Sequence, residues 1–227
     1  MFTKREYLDN DLNKLLDNPK FYQYYEELIN TNKTTNLTRI IDLDSVYYKH
    51  FYDSIILTKH LSTENKTLLD VGAGAGFPSI PIKIIDNTIE ITIIDSLNKR
   101  IKFLATLIDK LLLNKVNLIH GRAEELSKIN KFDKVTSRAV ARLNILVELT
   151  LPFVRVGGYF VAYKSLNYEE ELLEAKNGIK TLGGSVEKIV KYDISKDEKR
   201  TLIFIKKIKE TNDKYPRVYG KIKKSPL

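Results

Sequence analysis

Leu68-Leu69-Asp70-Val71-Gly72-Ala73-Gly74-Ala75-Gly76-Phe77-Pro78 is a short apolar run that passes into three alternating glycines and then a proline. The run predicts a strand. The glycines predict a turn in which the backbone takes positive φ and approaches a ligand closely, because no Cβ stands in the way. Pro78 suits the first turn of a following helix, where its missing N–H has no partner to lose. A plain tight turn would also join strand to helix, but three glycines on alternate positions cost chain entropy that such a turn does not require. Strand, glycine turn and helix form the ligand end of an open parallel α/β sheet, beyond the strand carboxyl ends. A triphosphate-cradling loop needs Gly-Lys-Ser/Thr at its end, whereas Phe77 and Pro78 follow Gly76 here. The spacing G-x-G-x-G also departs from the G-x-G-x-x-G of dinucleotide sites.

The 227 residues around this stretch are enough for one α/β domain and a small appendage. There is no cysteine, which excludes disulfides, a thiol nucleophile and thiolate metal sites. The first residues lack the apolar core of a signal peptide. The longest apolar-looking run, residues 101–113, is broken by Lys102, Asp109 and Lys110 and is too short to span a bilayer. A cytoplasmic protein with no membrane partner is expected. The net charge is +9, and it is uneven: residues 1–62 hold eight Lys/Arg and nine Asp/Glu, while residues 206–224 hold eight basic and two acidic residues. That end can attract a polyanion, or it can be the solvated tail of a lysine-rich protein.

Residues 3–17 and 20–30 read as polar helices around Asn18-Pro19, 30–39 as a polar linker, and 44–60 as a third helix capped by Asp44. From residue 67 strands and helices alternate. Strands are predicted at 67–71, 89–95, 116–120, 133–137 and 159–163, with helices starting near Pro78 and at 99–113, 143–152 and 168–182. Residues 185–192 and 200–207 read as a closing antiparallel pair. This alternation specifies a parallel sheet with helices on both faces.

An acid at the end of the first strand followed by G-x-G-x-G resembles motif I of the class I S-adenosylmethionine-dependent methyltransferases. The resemblance implies an α/β, Rossmann-like, mostly parallel seven-stranded sheet, here with an N-terminal helical extension. The expected organisation is a helical cap over 1–62, the methyltransferase domain over 63–210, and a basic tail over 211–227 packing on or near the active site.

Four positions then stand out. Asp70 and Asp95 close the first and second strands, and a carboxylate at the latter accepts hydrogen bonds from ribose hydroxyls. Asp95 can equally cap the helix that opens at Leu97-Asn98. Arg122-Ala123-Glu124 follows the third strand, where an alanine N–H and a carboxylate can meet an adenine edge; Glu124 and Glu125 also suit a helix N-terminus through its dipole. Thr136-Ser137-Arg138-Ala139 follows the fourth strand. Arg138 is a forked donor suited to phosphate or to the acceptor edge of guanine, the plainer alternative being a surface ion pair. His50, His60 and His120 do not make a ligand set, so no metal is expected, and His50 with Asp53 reads as a helix-face pair.

Absences narrow the chemistry. Methylation of pyrimidine C5 needs a thiolate, and there is none. The Asn/Asp-Pro-Pro-aromatic segment of exocyclic-amine methyltransferases is not present at Ser137-Arg138-Ala139, nor is the Asp of ribose 2′-hydroxyl transfer. Guanine N7 fits what remains, because its lone pair is already free. Attack on a sulfonium methyl then needs no proton removal, and catalysis rests on positioning.

Almost end to end, the chain resembles the glucose-inhibited division protein B family, bacterial guanine-N7 methyltransferases of small-subunit 16S ribosomal RNA. The resemblance is carried by Thr35-Asn36-Leu37-Thr38, His50-Phe51-Tyr52-Asp53-Ser54, the glycine loop through Phe77-Pro78, Asp95-Ser96-Leu97, Lys99 and Phe103-Leu104. It continues in Gly121-Arg122-Ala123-Glu124, Ser137-Arg138-Ala139-Val140, Gly157-Gly158, Lys164, Tyr215-Pro216-Arg217 and Lys224-Ser225-Pro226-Leu227. It implies S-adenosyl-L-methionine as cofactor, held by Gly72, Phe77, Ala123, Glu124 and Arg138 alongside Asp70, Gly74, Gly76 and Asp95. Arg138 is the implied catalytic residue, and Asn36, Arg122, Lys164 and Arg217 are implied on the RNA-facing side. The implied partner is 16S ribosomal RNA within the small subunit, engaged by a monomer. Ser79, Ser165 and Val218 depart from residues common in the family.

On this basis Arg138→Ala is expected largely to abolish transfer without unfolding the chain. Deletion after Lys214 is expected to weaken substrate engagement more than cofactor binding. Three competing readings make different predictions. A methyltransferase of small molecules or proteins would show no salt-sensitive RNA binding. A dinucleotide oxidoreductase would bind nicotinamide, and a non-enzymatic RNA-binding remnant would not bind S-adenosylmethionine.

Overall fold

The computed structural model describes residues 2, 3, 5, 8–126 and 131–227. The strands β1 (Thr67–Val71), β2 (Glu90–Asp95), β3 (Val116–His120), β4 (Phe132–Arg138), β5 (Val154–Lys164), β6 (Gly184–Asp193) and β7 (Lys199–Lys207) make one seven-stranded sheet. Its order is β3-β2-β1-β4-β5-β7-β6, parallel except for β7, which runs against both β5 and β6. This is the mostly parallel sheet expected from the alternation of elements. Residues 68–71 of β1 are all buried because helices cover both faces of the sheet.

Two apolar clusters, one on each face, hold the layers together. The first joins Phe21, Tyr24 and Leu28 of the helix Pro19–Thr35 to Ile80, Phe103, Leu104 and Leu107. The second joins Leu143, Leu146 and Val147 of the helix Leu143–Thr150 to Phe160, Ile179 and, from the C-terminal helix Tyr219–Lys224, Ile222. In Asn98–Lys110 the buried positions 103, 104, 107 and 108 recur at helical spacing, so one stripe faces the sheet.

Several boundaries differ from the sequence expectation. The helix Pro19–Thr35 runs through much of the expected linker and ends at Asn36, whose φ of 51° is left-handed. The stop is set by Asn32, whose Oδ1 accepts the backbone N–H groups of Leu37 (2.6 Å) and Thr38 (2.9 Å). The third helical stretch is capped by Asp42, which accepts from Ser45 N, and not by Asp44, which accepts from Thr3 N. It changes from α to π at Tyr47–Tyr52 and to 3-10 at Ile56–Lys59. Pro78 lies outside its helix, which begins at Ser79. Of the helix expected over 3–17, residues 4, 6 and 7 lie outside the described residues, and the regular helix there is Asn10–Leu15. Among the described residues no helix is long and apolar enough to cross a membrane, and no His/Asp/Glu group could hold a metal ion.

Candidate active site

The register places the carboxyl ends of the first four strands side by side: Asp95 pairs with His120, Val71 with Ile94, and Asp70 with Thr136. The loops after β1, β2, β3 and β4 therefore open on one edge, and they enclose a cavity of about 480 Å³. That is the size of a small-molecule site. At roughly 4.8 Å per strand the β3-to-β4 distance is roughly 14 Å, so the site is elongated, with Arg122 at the β3 end and Arg138 at the β4 end. Gly72, Gly74, Phe77, Asp95, Ala123, Glu124 and Arg138 all line it.

The glycine loop is held from two sides. Gly74 N–H donates to Asp95 Oδ2 (3.1 Å), which tethers the loop to the end of β2. A Cβ on Gly74 would meet nothing within 4 Å, whereas one on Gly76 would strike Ile80, the Tyr24 hydroxyl and Leu104 at 2.8–2.9 Å. Gly76 is thus a packing glycine beneath the loop and does not line the cavity. Tyr24 clamps the same turn by donating its hydroxyl to the Ala75 carbonyl.

Asp70 also lies behind the loop. It is fully buried, accepts from Ser79 N (3.3 Å) through Oδ2, and has no hydrogen-bond partner for Oδ1 among the described residues. Burial pushes its carboxyl up to about 7, against the opposing pull of Ser79 and Arg138. An aspartate in the unfolded chain titrates near 4. Between roughly pH 4 and 7 the folded protein therefore holds a proton that the unfolded chain has released, and stability falls as pH rises through that window. Asp70→Asn, which imitates the protonated form, is expected to flatten this slope in urea melts taken at several pH values. An unchanged slope would assign the titration to another group.

Asp95 is buried, and both its oxygens accept hydrogen bonds: Oδ1 from Leu97 N (2.9 Å), and Oδ2 from Arg100 (3.1 Å) as well as from Gly74. It thus ties down the turn leading into the helix Asn98–Lys110, whose N-cap is Leu97 with no side-chain cap bond, while its carboxylate remains in the cavity wall.

Arg138 is the hub of the β4 end. Its guanidinium donates to Asp53 Oδ2 (2.7 Å), approaches His50 Nδ1 at 3.2 Å and lies over the Phe77 ring at 4.8 Å. The Arg138 and Asp53 side chains are 13% and 4% exposed, so this is a buried pair and not the surface ion pair considered from the sequence. The expected His50–Asp53 pair is corrected in the same way: both groups face Arg138. Nδ1 of His50 also lies 3.1 Å from the Lys49 carbonyl, and its Nε2 lies 2.9 Å from Thr38 Oγ1. Burial and the Arg138 charge lower the His50 pKa to about 3, and its ring stacks on Phe77 at 4.4 Å. His50 and Thr38, which line the cavity, were missed as site residues. The His50-x-x-Asp53 spacing on one helical face was the available signal, but it did not say what the face met.

The four residues expected toward RNA divide. Asn36 is exposed next to Leu37 and Thr38 of the cavity wall, and Arg122 lines the cavity. Lys164 is instead committed to Glu171 (2.6 Å) and the Ala141 carbonyl (2.8 Å). Arg217 forks onto the fully buried Glu148 at 2.8 and 2.6 Å. Tyr219, which was not singled out in the sequence, lines the cavity from the C-terminal helix.

The comparisons agree with this architecture. Residues 17–203 match the family described as GidB, rRNA small subunit methyltransferase G. The chain is 50% identical over 216 residues to the ribosomal RNA small subunit methyltransferase G of Lactobacillus johnsonii, covering 92% of this chain and 90% of that one. It is 48% identical over 214 residues to the protein of the same name from Streptococcus pneumoniae, with the same shares covered. Among solved structures, a methyltransferase from Pyrococcus furiosus superposes with a TM-score of 0.56 at 22% identity, over 70% of this chain and 83% of that one. TYW2 of M. jannaschii, in complex with AdoMet, also superposes with a TM-score of 0.56, at 19% identity over 69% and 77%. These likenesses show the class I methyltransferase fold, and the match over residues 17–203 together with the 50% identity shows that the chain belongs to the GidB family, rRNA small subunit methyltransferase G.

Proposed function

We propose that the protein transfers a methyl group from S-adenosyl-L-methionine to N7 of a guanine in 16S ribosomal RNA, by direct in-line attack without a general base. The observation that carries this reading is the protonation chemistry of the cavity wall. His50 is a neutral imidazole with a pKa of about 3. Asp95 has both oxygens engaged, and Glu124 lies at the far end, 3.8 Å from Arg122. None of these is set to take a proton at the β4 end, and guanine N7 has none to give.

The residues fit the cofactor. Gly74 leaves the middle of the cavity open, and a carboxylate, two small-residue loops and a guanidinium surround it. S-adenosylmethionine supplies, when bound, a methyl group activated by its sulfonium. Gly72, Gly74 and Phe77 hold its amino-acid side, Asp95 its ribose, and Ala123 and Glu124 its base. Asp70 and Gly76 act from behind by setting the loop. Arg138 faces the acceptor, where a rigid forked donor can orient the O6 edge of guanine. Asn36 and Arg122 face RNA at the rim, while Lys164 and Arg217 support the site through Glu171 and Glu148. Residues 1–62 act as the helical cap, 63–210 as the catalytic domain and 211–227 as the tail of a cytoplasmic monomer that acts on the assembled small subunit.

Gly74→Ala tests the cradle. With φ at +61° an alanine there costs roughly 1–2 kcal/mol. A methyl group in the cavity is expected to weaken cofactor binding about tenfold, measured by calorimetry. Unchanged affinity would remove Gly74 from the cofactor wall. The reaction itself is tested with labelled S-adenosylmethionine and small subunits from a strain lacking the modification, beside naked ribosomal RNA. Label in 7-methylguanosine, mainly from subunits, is the expected result. No label on either substrate, with the cofactor still bound, would move the reading to a non-RNA acceptor.

A further inference from the structure

We infer that Tyr219, carried by the C-terminal tail, completes the cofactor site by closing over the adenine at its β3 end. The inference rests on the proposed use of S-adenosylmethionine.

The sheet order fixes the two ends of the cavity. Asp95 of β2 stands between them, and if it takes the ribose, the rest of the ligand extends two ways. One way leads past Gly72 of the β1 loop to Arg138 after β4, the acceptor end. The other leads to Ala123 and Glu124 after β3, the end left for the base. Tyr219 lines the cavity, and the guanidinium of Arg122, the residue before Ala123, lies 5.6 Å from its ring centroid. That contact assigns Tyr219 to the β3 end. Its ring is half-buried, lines the cavity and has the Arg122 guanidinium over it, so an aromatic group forms part of the wall at this end. Flat, polarisable surfaces of this kind hold a base by stacking.

The tail is built to hold the ring there. Arg217, two residues earlier, grips buried Glu148 through both its fork and its backbone N–H (2.9 Å). Ile222, three residues later, is fully buried. Val218 between the anchors is 72% exposed and contributes little hold of its own. The position of Tyr219 is therefore determined from both sides, independently of any ligand. On this inference the tail serves the cofactor as well as RNA.

The test is calorimetric, with S-adenosylhomocysteine and with adenosine, on the wild type and on Tyr219→Phe, Tyr219→Leu and Tyr219→Ala. Tyr219→Phe should bind both as the wild type does. Tyr219→Leu and Tyr219→Ala should bind both about tenfold more weakly, by the same factor for the two ligands, because the lost contact is to the base they share. Melting temperatures without ligand accompany each variant. Leucine fills the same apolar space, so a loss of affinity in Tyr219→Leu at an unchanged melting temperature separates stacking from packing. Equal binding by all four proteins would overturn the inference, and a defect confined to RNA turnover would transfer Tyr219 to the substrate. Failure of the wild type to bind S-adenosylhomocysteine would instead overturn the functional reading beneath it.

Discussion

Arg138→Ala is expected to abolish methyl transfer and to destabilise the fold at the same time. The guanidinium is the shared partner of Asp53, His50 and the Phe77 ring. Its removal leaves Asp53 buried, with Tyr192 hydroxyl as a remaining donor at 2.6 Å. Breaking a buried pair from one side costs roughly 3–5 kcal/mol, which is roughly 6–20 °C in melting temperature for a domain of this size. The variant is still expected to fold, as the sequence reading has it, but with a lowered melting temperature. Turnover should fall by about a hundredfold or more, since the acceptor loses its positioning group. Arg138→Lys keeps a charge near Asp53 but not the fork; it should recover much of the stability and little of the turnover. Single-turnover rates measured well below the melting point decide the matter. A folded Arg138→Ala protein with wild-type turnover would remove the residue from the mechanism.

Arg217→Ala is expected to act on stability and on the cofactor rather than on RNA charge. Glu148 has no exposed side-chain surface, and the Arg217 fork neutralises it. Without that fork the carboxylate keeps one backbone donor, Arg217 N–H, so the cost falls near the low end of the range for a broken buried pair, about 3 kcal/mol. The loosened tail would carry Tyr219 away from the cavity and weaken binding of S-adenosylhomocysteine. A second change, Glu148→Gln, should restore part of the stability by removing the unpaired charge. The alternative, a phosphate contact, predicts the opposite pattern: an unchanged melting temperature and a salt dependence of RNA binding shallower by about one ion. Thermal melts and RNA binding at several salt concentrations distinguish them.

These two arginines show how far the residues alone could be read. That Arg138 lines the cavity is legible in the sequence because strand ends in a parallel sheet open on a common edge, a rule that local spacing can invoke. Its partners could not be found that way. Asp53 lies 85 positions away and His50 lies 88 away, and both reach it only when the π turn at Tyr47–Tyr52 packs against β4. The resemblance implies Arg217 and Lys164 on the RNA-facing side, and a sequence shows charges without their counter-ions; Glu148 and Glu171 become partners only in three dimensions.

The sequence by itself determined the sheet, the glycine turn, the acid at the end of β2 and the edge where the site lies. Each depends on local pattern: apolar runs, glycine backbone freedom and the alternation of elements. Tertiary structure alone decided that Asp70 and Gly76 support the loop from behind, that His50 stays neutral, and that the tail brings Tyr219 into the cavity wall. Those outcomes depend on burial and on contacts between distant segments, where desolvation and charge pairing, not neighbouring residues, set the energy.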